Sequence, residues 1–224
     1  MSILPCMSAP DALMCLSGHC PNCPAVLAAL VDMVKAGSLG ELRVVNVEQR
    51  PALAQALGIR AVPWVRIGPF ELTGLRSRAE LDTWASRAVS ETGLADGFHA
   101  LLKEGGLDQV VEAVRQVPER LAAVLPIVAN PEASLNVRIG AGAVLESFAG
   151  QPALRALLPR LAELATDADA RVRADACHYL GLTGDPGARP ALQARLDDPD
   201  AEVREIAAES LAQLFLQAGP KCDP

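Results

Sequence analysis

The sequence predicts two domains of different class: a mixed α/β domain over residues 1–93 and an all-α helical-repeat solenoid over residues 94–224. Three observations lead there. Strand-like and helix-like stretches follow one another in the order β-α-β-α-β-β-α between Ala12 and Glu91. After Gly93 the strand signal stops, and only helical periodicity remains. Within that second part the pattern V-R-x-x-A-x-x-x-L occurs three times. Composition agrees with a helix-rich chain: 39 Ala and 32 Leu in 224 residues, with 26 of the Ala beyond Gly93.

Residues 12–17 form a short apolar run that stops at Gly18, as a buried strand does. From Ala25 to Ala36, apolar residues recur at helical spacing. Pro24 suits the first turn of that helix and Gly37 its end. Glu41–Glu48 is rich in valine and reads as a second strand. Pro51–Leu57 is a short helix closed by Gly58. Pro63–Gly68 and Phe70–Thr73 are strands joined by a tight turn at Gly68-Pro69. Ser77 and Glu80 form a capping-box pair at the start of a helix running to Glu91. A helical crossover favours parallel pairing of the first two strands, and a two-residue turn favours antiparallel pairing of the last two. The expected result is a mixed sheet with helices on its faces.

Beyond Gly93 the expected helices are 95–104, 107–116, 118–129, 133–149, 151–165, 169–182, 187–196 and 200–217. Val137-Arg138, Val172-Arg173 and Val203-Arg204 each open a helix, at steps of 35 and 31 residues. Ala follows the Val by four residues (Ala141, Ala176, Ala207) and Leu by eight (Leu145, Leu180, Leu211). Those three positions share one helix face. A period near this length, with two helices per unit, means a stacked solenoid. The stretch Asp169–Leu211, with the unit before it, resembles HEAT-like repeats of the short bacterial kind. That resemblance implies an interaction scaffold and names no partner. The repeated arginines Arg138, Arg173 and Arg204 are expected to pair with acids of neighbouring units, with Asp169 and Asp200 as the candidate mates.

Charge narrows the partners. The net charge is −7: residues 1–93 carry 8 basic and 8 acidic side chains, residues 94–224 carry 12 and 19. An acidic chain with 7 aromatic residues is a poor match for nucleic acid or anionic lipid. The apolar run Ala25–Val31 is too short to cross a bilayer. The first 20 residues hold no Lys or Arg, so a secretory signal is not expected and a cytoplasmic location is.

There are six cysteines, Cys6, Cys15, Cys20, Cys23, Cys177 and Cys222. The close pair is Cys20 and Cys23, placed after a strand and at the opening of a helix. That is where a dithiol redox centre belongs. A sulfur at a helix N-terminus faces unpaired N–H groups and the positive end of the helix dipole, which favour thiolate. A second sulfur one turn on can resolve a mixed disulfide. Cys20 fits the first role and Cys23 the second, with His19 beside them. A metal reading would use Cys15, His19, Cys20 and Cys23, but no second Cys-x-x-Cys supplies the usual ligand set, and no metal is expected. The remaining cysteines, His99 and His178 read as structural.

The residues Cys20-Pro-Asn-Cys-Pro24, with Val62-Pro63 at the start of the third strand, resemble the thioredoxin-fold superfamily over residues 8–92. Cys-Pro-x-Cys-Pro followed by an apolar helix is similar to glutaredoxin-like dithiol domains, including those that open the flavoprotein subunit of alkyl hydroperoxide reductase. The resemblance implies a cis-proline at Pro63 facing the dithiol, and backbone hydrogen bonds from Val62 to the substrate. Two features depart from ordinary thioredoxins. Gly18-His19 precede the first cysteine, and Met14 stands where a buried acid is usual.

The function expected from these readings is thiol–disulfide oxidoreductase. Cys20 and Cys23 are catalytic, Val62 and Pro63 bind substrate, and the repeats select a protein client that carries a disulfide or thiol. No cofactor is expected beyond the redox-active Cys20–Cys23 disulfide. The alternative is a non-enzymatic interaction scaffold whose first domain senses redox state or docks a partner.

Overall fold

A computed structural model of the chain describes residues 9–217. By compactness the chain divides into two units, residues 1–97 and 98–224. Cys6 and Cys222 lie outside the described residues.

The first unit is built on a four-stranded sheet, β1 (Ala12–Leu16), β2 (Leu42–Asn46), β3 (Trp64–Ile67) and β4 (Phe70–Thr73), in the spatial order β2-β1-β3-β4. β1 runs parallel to β2, and β3 runs antiparallel to both β1 and β4. The mixed sheet expected from the crossover and the tight turn is the one observed. Alternation along β1 divides the core. Ala12 and Met14 face one cluster, while Leu13 and Cys15 face the other. The first face is covered by helix α1 (Cys23–Lys35), which buries Cys23, Val26, Leu30 and Met33. Those positions are three or four residues apart and form one apolar stripe. Leu81 and Ala85 of helix α3 (Arg78–Arg87) complete that side. The short helix α2 (Pro51–Ala56) lies between β2 and β3. Leu57 and Ile59 beyond it pack on Trp64 and Cys15 at the opposite face.

The capping box at the start of α3 forms in full. The Glu80 N–H donates to Ser77 Oγ at 3.3 Å, and the Ser77 N–H donates to the Glu80 carboxylate at 2.8 Å. The helix ends at Arg87, short of the expected Glu91, and α4 (Glu91–Lys103) starts there. Gly93, read from sequence as a break, lies inside α4. A Cβ there would come within 2.8 Å of the Arg87 backbone, so this glycine permits a close approach of chain to chain.

The second unit is all helical among the described residues. It contains α5 (Leu107–Gln116), α6 (Leu125–Val128), α7 (Leu135–Glu146), α8 (Pro152–Arg155), α9 (Leu158–Leu164), α10 (Ala170–Leu182), α11 (Arg189–Gln193) and α12 (Ala201–Gln217). The three long helices of the expected repeat are α7, α10 and α12. Their Val, Ala and Leu positions are all buried, from Val137 at 0% exposed to Leu211 at 7%. Three of the expected helices are broken instead. Residues 118–129 are a 3₁₀ stretch (Pro118–Val124) followed by α6, 151–165 divides into α8 and α9, and 187–196 becomes a 3₁₀ turn followed by α11. Each new start has a proline in its first turn: Pro118, Pro126, Pro152, Pro159, Pro186 and Pro190. A proline cannot donate the hydrogen bond that would continue a helix, but fits a first turn.

The turns before the long helices repeat as well. The side-chain oxygens of Asn130, Asp167 and Asp198 each accept the N–H two residues on, at 2.8 to 3.1 Å. In two units the repeated arginine then ties this turn down. Arg173 Nη1 donates to the carbonyls of Asp167 and Ala168, and Arg204 Nη1 to those of Asp198 and Pro199, the same offsets of six and five residues. The acids expected to pair with these arginines do other work. Asp169 caps α10 and pairs with Arg171, and Asp200 accepts the N–H groups of Glu202 and Val203. Across units, Arg138 pairs with Asp175 at 3.0 Å, and Arg173 grips Asp198 through two hydrogen bonds of 2.8 and 2.9 Å.

Candidate functional site

β1 ends at Leu16, and the chain turns through Ser17–Asn22 before α1 begins at Cys23. Pro24 sits in the first helical turn, where its missing N–H removes no hydrogen bond. The first N–H of the helix, from Cys23, donates to Cys20 Sγ at 3.1 Å. The two cysteines lie at disulfide distance, their Cα atoms 5.5 Å apart, and are joined. They differ in access. Cys20 is half-buried, whereas Cys23 is 3% exposed and part of the core cluster under α1. A sulfur that meets another protein must be reachable. A resolving sulfur needs only to reach the first.

On reduction, a negative charge on Cys20 would retain the Cys23 N–H and the positive end of α1. Both stabilise thiolate over thiol. His19 faces solvent and a carboxylate. Its side chain is 92% exposed, and Nδ1 lies 3.2 Å from the Glu48 carboxylate. Glu48 is 29 residues away in sequence, and no local pattern marks it. Met14 is fully buried in the same cluster as Cys23, so this position offers no carboxylate beneath the pair.

Gly58, with φ of 63°, closes the turn after α2. The chain then reaches Val62 and Pro63, whose shared peptide bond is cis. Pro63 is buried, and its carbonyl accepts the Gly74 N–H at 2.9 Å from the loop after β4. Val62 is half-buried and packs, as Cys20 does, on the cluster that contains Cys23. Among the described residues neither its N–H nor its carbonyl has a backbone partner.

The other described thiols are set apart from this pair. Cys15 is fully buried on the opposite face of the sheet, and burial pushes its pKa up despite the nearby Arg66 and Arg43. Cys177 is buried in α10, and burial pushes it up to about 11. Reduced native protein treated with iodoacetamide near neutral pH is therefore expected to label at Cys20. Cys15 and Cys177 should label only after denaturation, as read by peptide mass spectrometry. Labelling of Cys177 as fast as Cys20 would contradict the burial described. Among the described residues no cluster of three His, Cys, Asp or Glu side chains is placed to hold a metal ion. His178 instead faces the Glu146 carboxylate at 3.4 Å. No helix among the described residues is long and apolar enough to cross a membrane.

Comparison with known proteins agrees with this architecture. Residues 12–86 match the family model for a thioredoxin domain, and residues 121–212 match that for HEAT repeats. No curated protein matches the chain. Among solved structures, human deoxyhypusine hydroxylase in complex with glycerol is similar over 62% of this chain and 68% of its own, at 16% identity and a TM-score of 0.28. A likeness of that size says nothing about the chemistry of this chain. Fold, dithiol geometry and family matches agree that the chain is a thioredoxin-like domain joined to HEAT repeats.

Proposed function

We propose that the protein is a thiol–disulfide oxidoreductase acting on a protein client. The observation that carries this reading is the Cys20–Cys23 pair, with the accessible sulfur held against the first N–H of α1. In the reducing direction, the Cys20 thiolate attacks a client disulfide. A Cys20–client mixed disulfide forms, and one client thiolate leaves. Cys23 then gives up its proton and attacks Cys20 Sγ. The Cys20–Cys23 disulfide forms, and the second client sulfur leaves as thiolate and takes up a proton. An external dithiol must then reduce the pair for another turnover. Run in reverse, the same steps oxidise a client dithiol.

Val62 packs on the core cluster that contains Cys23, and its cis peptide to Pro63 leads into β3. The unpartnered Val62 backbone suits an extended client strand laid beside the mixed disulfide. The repeats supply the surface that selects the client. A protein client fits the acidic net charge of −7 better than nucleic acid or an anionic membrane does. A reducing compartment such as the cytoplasm suits a dithiol that cycles.

The test is a trap. In a Cys23→Ser variant the mixed disulfide on Cys20 cannot be resolved, so a client should accumulate as an adduct sensitive to reductant. Its identity follows from mass spectrometry. If no adduct forms in the native host, and wild-type protein also fails to exchange with small disulfides, the domain acts as a sensing or docking module on a scaffold.

A further inference from the structure

β2 is an edge strand, and its free side combines unpaired main chain with unpaired positive charge. The phase of the β1–β2 ladder is fixed by two hydrogen bonds, from the Ala12 N–H to the Glu41 carbonyl and from the Val47 N–H to the Leu16 carbonyl. In a parallel ladder alternate residues bond inward. Arg43 and Val45 therefore spend their N–H and C=O groups on β1. Leu42 and Val44 turn theirs outward, together with the Asn46 N–H. The Asn46 carbonyl is already taken by the Gln49 N–H. The edge is open: Val44 is 43% exposed. A groove runs along it, lined by Val44, Val45, Asn46 and Leu53 with Arg43 and Arg50. Among the described residues neither arginine has an ion-pair partner.

We propose that this edge takes an extended, acidic segment of a partner protein as a fifth strand. The main-chain groups of Leu42 and Val44 supply the ladder, as in other strand additions. Arg43 and Arg50 select carboxylates along it. A strand edge left open in a natural protein is usually blunted by charge, a bulge or a cover. Within the groove the charged side chains are Arg43 and Arg50, both positive and, among the described residues, without an ion-pair partner, which selects for the opposite sign. The groove lies on the edge strand and uses neither cysteine, so the proposal stands independently of the redox reading.

The test measures fluorescence anisotropy of a labelled alternating Glu-Val octapeptide titrated with the full oxidised chain, with the alternating Lys-Val octapeptide as control. Saturable binding of the Glu-Val peptide alone is expected. The Arg43→Glu/Arg50→Glu double variant changes only exposed side chains and should weaken it about tenfold or more. Val44→Pro removes an N–H that β1 does not use, at an edge position where proline is tolerated. It should abolish binding with the circular dichroism spectrum unchanged. If Val44→Pro fails to fold, the double variant decides. Absent binding, equal binding of the Lys-Val peptide, or full binding by the double variant would overturn the proposal. So would a concentration-dependent dimer of the free chain that the double variant abolishes, because the edge would then serve a second copy.

Discussion

Replacing Asp198 by alanine is expected to cost the repeat unit about 3–5 kcal/mol, the penalty typical of breaking a buried ion pair from one side. The Asp198 side chain has no exposed surface, and it accepts from four donors. Arg173 contacts both oxygens, Arg195 approaches at 3.3 Å, and the Asp200 N–H donates at 3.1 Å. Alanine leaves the nearly buried Arg173 guanidinium without its counter-charge and opens the turn that leads into α12. Asp198→Asn should cost less, since an amide oxygen still accepts the Asp200 N–H while the charge is lost. The pH dependence gives a second readout. The hydrogen bonds from Arg173 hold the Asp198 carboxyl below its ordinary value. The unfolded chain keeps a carboxyl near about 3.9. The stabilisation is therefore complete above that pH, and is lost as pH falls through the lower folded value. The gap between wild type and variant should be full at neutral pH and should close in acid. Two compact units need not unfold together, so the shift is best read by hydrogen exchange at α10 and α12 amides. A neutral-pH difference below about 1 kcal/mol would mean the pair behaves like a surface contact.

That network also shows where sequence reasoning stops. The Val, Ala and Leu of each repeat were legible because they obey a local period, and burial on one helix face follows from it. The Arg that follows each Val was legible as repeated, but its partner was not. An acid of the neighbouring unit was expected, with Asp169 and Asp200 as the candidates. The carboxylate of Asp169 is instead occupied by the N–H and guanidinium of Arg171. The partner found is Asp198, 25 residues on, brought close only when the next unit stacks. The prolines were likewise visible, lying within or just before the expected helices 118–129, 151–165 and 187–196. Their fit to a first turn makes them helix starts, so each expected helix became two pieces.

In the first unit the pairing sense of β1 with β2 and of β3 with β4 followed from two connections, one long and one short, whereas the placing of β3 against β1 did not. The Cys20–Cys23 pair was identifiable from its spacing and place in the chain, and the cis peptide at Val62-Pro63 from the family resemblance. The side-chain environment was not. Nothing near His19 in sequence announces Glu48, and nothing in the motif says that Cys23 is core while Cys20 is reachable. Those facts depend on how α1 lies on the sheet. In the proposed exchange they favour Cys20 as the attacking sulfur.

Cys20→Ser is accordingly expected to reduce disulfide exchange to the uncatalysed background, the largest activity effect available in this domain. A serine hydroxyl does not ionise near neutral pH, so no nucleophile remains where a client can reach. Cys23→Ser should instead keep one attack per molecule and then stop, with the client attached. The pH profile separates this from general damage. The Cys23 N–H at 3.1 Å and the end of α1 stabilise the Cys20 anion, so its alkylation midpoint should fall below the free-thiol value of about 8.5. Among the described residues no N–H donates to Cys23 Sγ, and its burial disfavours a charge. Cys23 is buried in the cluster that also holds Met14, whose thioether cannot accept its proton, so that proton must pass to the leaving client thiolate or to water. Resolution should therefore slow as pH falls, and even wild-type protein should hold a longer-lived mixed disulfide in mild acid. Quenched-flow acid trapping across pH reads both steps. Exchange surviving in Cys20→Ser, or alkylation of Cys23 ahead of Cys20, would reverse the assignment of attacking and resolving sulfur.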